Sequence, residues 1–118
     1  MDYINYILFA LIIWFMIQRF MPIKGVENIT TQDLKTMLKD KNKQFIDVRT
    51  SGEFSSYHIP GFNNIPLHQL SKRTNELSKE KEVVVICQSG MRSQKASKVL
   101  VKSGFQVKNV KGGVSAWR

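Results

Sequence analysis

The run Glu82-Val83-Val84-Val85-Ile86-Cys87 constrains the fold more than any other segment of this chain. Its consecutive β-branched residues are poor in a helix, where each loses side-chain freedom against the preceding turn. In a strand they offer apolar groups to both faces, and only a sheet covered on both sides buries them. Such sheets are mainly parallel, and parallel strands need crossover helices between them.

The flanking sequence supplies those helices. Val26 to Ile29 reads as a weak strand. Thr30, with Asp33 after it, resembles an N-cap, and Leu34, Met37 and Leu38 then recur at helical spacing. Gln44 to Val48 reads as a short buried strand, Ser51 to Tyr57 as one or two helical turns, and Ile59-Pro60-Gly61 as a turn. Asn64-Ile65-Pro66 reads as a short strand stopped by proline, which cannot donate to a central ladder. Leu67, Leu70 and Leu77 mark a further helical stretch. Ser93 to Ser103 reads as a helix burying Ala96, Val99 and Leu100, with Gly104 as its stop. Phe105 to Val110 is another strand, and Val114 to Arg118 a terminal helical turn. The expected architecture is α/β, with a mainly parallel central sheet flanked by helices.

In such folds ligands bind beyond the carboxyl ends of the strands. The chain's one cysteine, Cys87, stands at such an end and heads the loop Cys87-Gln88-Ser89-Gly90-Met91-Arg92. Gly90 lets the backbone curl, and the helix that follows presents free N–H groups and the positive end of its dipole. A loop of this kind cradles anions and stabilises a thiolate, so Cys87 is expected to titrate below a free thiol and to act as a nucleophile. Arg92 is expected to add positive charge at the loop's base. The competing reading is a buried, inert strand-end cysteine.

These segments resemble the rhodanese-like domain family of sulfurtransferases. Val84-Val85-Ile86-Cys87-Gln88-Ser89-Gly90-Met91-Arg92-Ser93 resembles its active-site loop. Asp47-Val48-Arg49, Glu53-Phe54, Tyr57 to Pro66, and Gly112-Gly113 with Ala116-Trp117 resemble its other motifs in the same order. The resemblance covers Glu27 to Arg118. It implies a rhodanese-like fold in which Cys87 carries sulfur as a persulfide and Gln88, Ser89, Gly90, Met91 and Arg92 bind the substrate. Asp47 and Arg49 then support the loop by hydrogen bonds. The implied donor is a small anion such as thiosulfate or a persulfide, and the acceptor a thiol, a protein cysteine or another nucleophile. No metal or organic cofactor is implied. The departures are Gln88, where many thiosulfate-using members carry Arg or Lys, and Tyr57 and Phe62, which replace a usual Gly and Ala at what reads as a surface turn. His58 lies in a turn and reads as structural, and His68 has no functional argument. Two other functions stay open: a sulfur carrier with little turnover, and a phosphatase or arsenate reductase. Cys-dependent phosphatase loops place five residues between Cys and Arg, whereas this chain places four.

The N-terminus reads differently from the rest. Tyr6 to Ile17 is an unbroken apolar run, and Tyr3 to Met21 as a helix extends ~28 Å, near the thickness of bilayer hydrocarbon. The expected organisation is a transmembrane anchor over 1–21, a linker over 22–26 and a domain over 27–118. A cleaved signal peptide fits poorly, since the start is Asp2 and no small-residue cleavage pattern follows. A core helix and an interfacial hairpin are the other readings. Arg19, Lys24, Lys35, Lys39, Lys41 and Lys43 follow the run, so the positive-inside rule places the domain on the cytoplasmic side of the cell membrane as a single-pass protein.

The formal net charge is +9. That balance suits anionic partners. Nucleic acid is not among the expected ones, because Phe45, Phe54, Tyr57 and Phe62 do not alternate with Lys and Arg as a stacking groove requires. His58 and His68 belong to no cluster with metal-ligand spacing, so no metal site is expected.

Overall fold

The structure is a computed structural model that describes residues 3–20 and 25–117. Five strands, β1 (Val26–Ile29), β2 (Lys43–Asp47), β3 (Asn63–Asn64), β4 (Glu82–Ile86) and β5 (Val107–Val110), form one sheet in the order β1-β5-β4-β2-β3. Every pairing is parallel. The β-branched run forms β4 at the centre, where Val83, Val84, Val85 and Ile86 are fully buried. Each such side chain contributes ~1.5–3 kcal/mol relative to exposure.

The helices are α1 (Tyr3–Phe20), α2 (Thr31–Met37), α3 (Ser51–Ser56), α4 (Leu67–Arg73) and α5 (Met91–Lys102). Alternation along β4 sends Val83, Val85 and Cys87 to one face, where they pack on Leu70 of α4 and on Ala96 and Leu100 of α5. Val84 and Ile86 face the other way, toward Leu34 of α2 and Phe54 of α3. Capping boxes start α2 and α3: the Thr30 and Thr50 hydroxyls accept from the amides of Asp33 and Glu53, whose carboxylates accept the cap residues' own N–H groups. Gly104, at φ +96°, ends α5, and Phe105 N–H donates back to Leu100 O at 3.0 Å.

Four expectations change. The α5 helix begins at Met91, not Ser93, because Gly90 takes a left-handed conformation (φ +112°) that turns the chain into the helix at once. Phe62 is no surface residue: it is buried edge-on against Phe45, ring centres 5.4 Å apart. Val26, assigned to the linker, opens β1; Pro22 to Lys24 and Met21 lie outside the described residues. The expected transmembrane span is not upheld either, since among the described residues no helix is long and apolar enough to cross a membrane. Asn5 stands near one end of α1, with Gln18 and Arg19 near the other. The uninterrupted apolar run between them extends only ~18 Å, against ~30 Å of hydrocarbon.

Candidate active site

Cys87 follows the last residue of β4, and the chain curls from it through Gly90 into α5. The Gly90 N–H donates to Cys87 Sγ at 2.9 Å. The Cys87 thiol donates to Ser93 Oγ at 3.4 Å, and the Ser93 hydroxyl donates in turn to the Gly90 carbonyl at 3.0 Å; once the sulfur is deprotonated, the Ser93 O–H can turn to donate to it. Burial pushes the thiol's pKa up, but hydrogen bonds from the Ser93 hydroxyl and from the amides of Ser93, Gly90 and Ser89 outweigh it. The net shift is below the ordinary cysteine value, so the thiolate is favoured.

Peptide planarity explains why the amides converge. The carbonyls of Cys87 and Gln88 accept from Val114 N–H at 2.9 Å and Ser115 N–H at 3.0 Å, on the strap that follows β5. In a trans peptide the N–H points opposite to the C=O. Drawing the Gln88 carbonyl outward therefore turns the Ser89 amide, in the same peptide plane, toward the sulfur. The strap lies so close that a Cβ on Gly113 would stand 2.2 Å from Cys87 O. Gly113 also has φ +61°, which favours glycine.

The remaining loop residues have distinct placements. Gln88 is tied down at both ends of its amide: its Oε1 accepts from Arg49 Nη1 at 3.2 Å and its Nε2 donates to Ser115 Oγ at 3.0 Å. Met91 is 75% exposed at the loop's outer edge. Arg92 forms a two-pronged pair with Glu53, Nη1 to Oε1 at 2.6 Å and Nη2 to Oε2 at 3.0 Å. That pairing holds the Glu53 carboxyl at about 2, against an ordinary 4.5. Arg92 thus directs its hydrogen bonds to α3, while its charge still interacts with Cys87 and peptide dipoles make the sulfur's hydrogen bonds. Asp47 and Arg49 form a buried pair, with Arg49 Nη2 to Asp47 Oδ2 at 2.8 Å. Arg49 also reaches the Tyr57 carbonyl at 2.6 Å. The pair fastens the end of β2 to Gln88 and to the end of α3, a supporting placement. Ser93 and Gly113, quoted among the motifs without a role, contribute to the site through the sulfur's hydrogen bonds and the strap's close approach. For Ser93 the available signal was a hydroxyl in the first turn of the helix that follows the cysteine. His58 stacks on Phe54 at 3.8 Å and is structural. Among the described residues no group of His, Cys, Asp and Glu is arranged to hold a metal.

Residues 30–118 match the Rhodanese-like domain family model. The chain belongs to the rhodanese-like domain family. It is 37% identical over 112 residues to YqhL of Bacillus subtilis (strain 168), covering 94% of this chain and 88% of that protein. The putative sulfurtransferase YtwF of the same organism is 38% identical, with 78% of this chain and 90% of that one covered. A crystal structure of a rhodanese-like domain protein from Staphylococcus aureus superposes with TM-score 0.73 at 34% identity, covering 78% of this chain and 91% of that one.

Two substitutions test the geometry. Ser93→Ala removes a hydrogen bond to a charged sulfur and is expected to raise the pH midpoint of Cys87 alkylation. An unchanged midpoint would leave the hydroxyl without a part in stabilising the thiolate. Gly113→Ala is expected to destabilise the domain by at least ~2 kcal/mol in urea unfolding and to slow alkylation at neutral pH, because the strap must lift from the loop.

Proposed function

We propose that this rhodanese-like protein is a sulfurtransferase that carries sulfur on Cys87 as a persulfide. The supporting observation is the buried Sγ held by the Gly90 N–H within the ring of loop amides. In the first half-reaction the Cys87 thiolate attacks the outer sulfur of an anionic donor. With thiosulfate the S–S bond breaks, sulfite leaves with the bonding pair, and the Cys87 persulfide remains. The loop amides stabilise negative charge on the arriving anion and on the persulfide. In the second half-reaction a nucleophile such as a thiolate or cyanide attacks the outer sulfur, and the pair returns to Cys87 Sγ. This is covalent catalysis in two exchanges, run by the chain's own groups. The name of YtwF, a putative sulfurtransferase, agrees with that chemistry.

The test is thiocyanate production from thiosulfate and cyanide. Steady turnover is expected in the wild type, with loss of at least ~1000-fold in Cys87→Ser, as for removal of a nucleophile. A persulfide found by mass spectrometry without turnover would assign the domain as a carrier instead. Aryl phosphate hydrolysis dependent on Cys87 would overturn both readings.

We further propose that α1 attaches the domain to the cytoplasmic face of the cell membrane. Its described side chains are apolar over most of their length and exposed all round, Phe9 at 65% and Trp14 at 60%. The basic residues from Arg19 to Lys43 suit an anionic leaflet. The YqhL match extends over 94% of this chain, so it runs into α1. Full-length protein is expected to sediment with anionic phosphatidylglycerol vesicles, and Phe9→Asp/Ile13→Asp to stay in the supernatant. Equal partitioning of the two would remove α1 as the attachment.

A further inference from the structure

The helices on the two faces of the sheet differ in charge. On one face, α2 and α3 carry Asp33, Lys35 and Glu53. On the other, α4 and α5 carry Lys72, Arg73, Arg92, Lys95, Lys98 and Lys102, and no acidic residue. Arg73 is paired with Glu76 and Arg92 with Glu53. The four lysines are exposed, and among the described residues they enter no ion pair. The fold gains nothing from this arrangement, because like charges one helical turn apart repel.

The lysines of α5 are also aligned. Met91, Lys95, Lys98 and Lys102 recur at helical spacing and fall on one side of the helix. Met91, at the head of the stripe, is a strongly exposed apolar side chain in the loop that begins at Cys87. The path of the chain brings α1 to the same layer. Gly25 lies against the last turn of α5, where a Cβ built on it would stand 3.3 Å from Val101 Cγ1. The chain arriving from α1 therefore joins the domain next to the end of α5 that carries Lys102. Five peptide steps separate Phe20 from Gly25, a reach of at most ~18 Å. Any surface that holds α1 is within reach of the basic layer.

We propose that the α4–α5 layer is a second membrane contact, with Lys72, Lys95, Lys98 and Lys102 on anionic headgroups and Met91 at the boundary between headgroups and acyl chains. This inference rests on the α1 attachment proposed above and adds the orientation of the bound domain. Both arginines of the layer already hold carboxylates of this chain in two-pronged geometry. The free donors are lysines, point charges on long apolar stems, which suit a diffuse anionic surface better than one fixed ligand. In this orientation the Cys87 loop opens at the level of the headgroups, and α2 and α3 face away from the bilayer.

The experiment reads orientation in the full chain on vesicles. Cys87→Ser removes the native thiol, and Gln94→Cys on α5 or Gln32→Cys on α2, both exposed positions, takes an environment-sensitive nitrobenzoxadiazole label. Gln94 stands one turn before Lys98. With vesicles containing phosphatidylglycerol, the Gln94 label is expected to shift to the blue and brighten, while the Gln32 label keeps its aqueous spectrum. On pure phosphatidylcholine both labels are expected to stay aqueous. Lys95→Glu/Lys98→Glu/Lys102→Glu is expected to abolish the Gln94 shift. Lys35→Glu/Lys39→Glu/Lys41→Glu, the same change of net charge on the α2 side, is expected to retain it. A Gln94 label that stays aqueous on chain that sediments with the vesicles overturns the proposal and leaves the α1 attachment standing. So do equal shifts at the two positions, the same shift on phosphatidylcholine, and equal loss in the two charge reversals. A Gln94 shift produced as well by soluble polyglutamate assigns the layer to an acidic protein and overturns the proposal too. A chain that does not sediment with the vesicles overturns the α1 attachment beneath it.

Discussion

The site depends on one clamp: the strap after β5 drawing the carbonyls of Cys87 and Gln88 away from the sulfur. An isolated loop of this length has no reason to point successive amides at one atom, since dipoles aligned in that way repel one another. Here two carbonyls are engaged from outside, and rigid peptide planes carry the consequence to the amides on the inside. The clamp requires backbone-to-backbone approach, which is why glycine stands at 113. Sheet order makes it possible. The β5 strand lies beside β4, so the chain leaving β5 passes directly over the loop leaving β4.

The charged residues around the site build a frame, and neutral dipoles make the sulfur's hydrogen bonds. Asp47 and Arg49 are 0% and 3% exposed, and removing either partner would strand the other as a buried charge, a cost of ~3–5 kcal/mol. Their pairing leaves Arg49 donors for Gln88 and for the Tyr57 carbonyl, so one buried ion pair joins β2, α3 and the loop. Arg92 performs the corresponding service on the outside through Glu53. Both guanidiniums are held in two-pronged geometry, which fixes orientation as well as charge.

Most of the fold was legible because the strongest signals were local. The β-branched run of β4, the Thr30 cap and the Gly104 stop each reflect residues a few positions apart, and each element appears where those residues place it. Helix boundaries shifted where a glycine conformation decided them, as at Gly90. The membrane span was read from total apolar length, while the polar residues at the two ends of α1 shorten its uninterrupted part. In the site, Cys87 and the loop were legible from spacing. The true partners of Arg92 and Gln88 were not, because Glu53, Arg49 and Ser115 are distant in sequence and their contacts follow from sheet order.

The sulfur's burial bears directly on the chemistry. At 1% exposure Cys87 would ordinarily be an inert core thiol. In the proposed reaction a persulfide would set its outer sulfur ~2 Å beyond Sγ. On that proposal the inner sulfur is shielded from the stepwise oxidation that threatens exposed thiolates, and the outer atom is the one that meets incoming nucleophiles. Burial and reactivity are then compatible, provided hydrogen bonds stabilise the anion more than desolvation opposes it. Ser89, Gly90 and Ser93 supply those bonds.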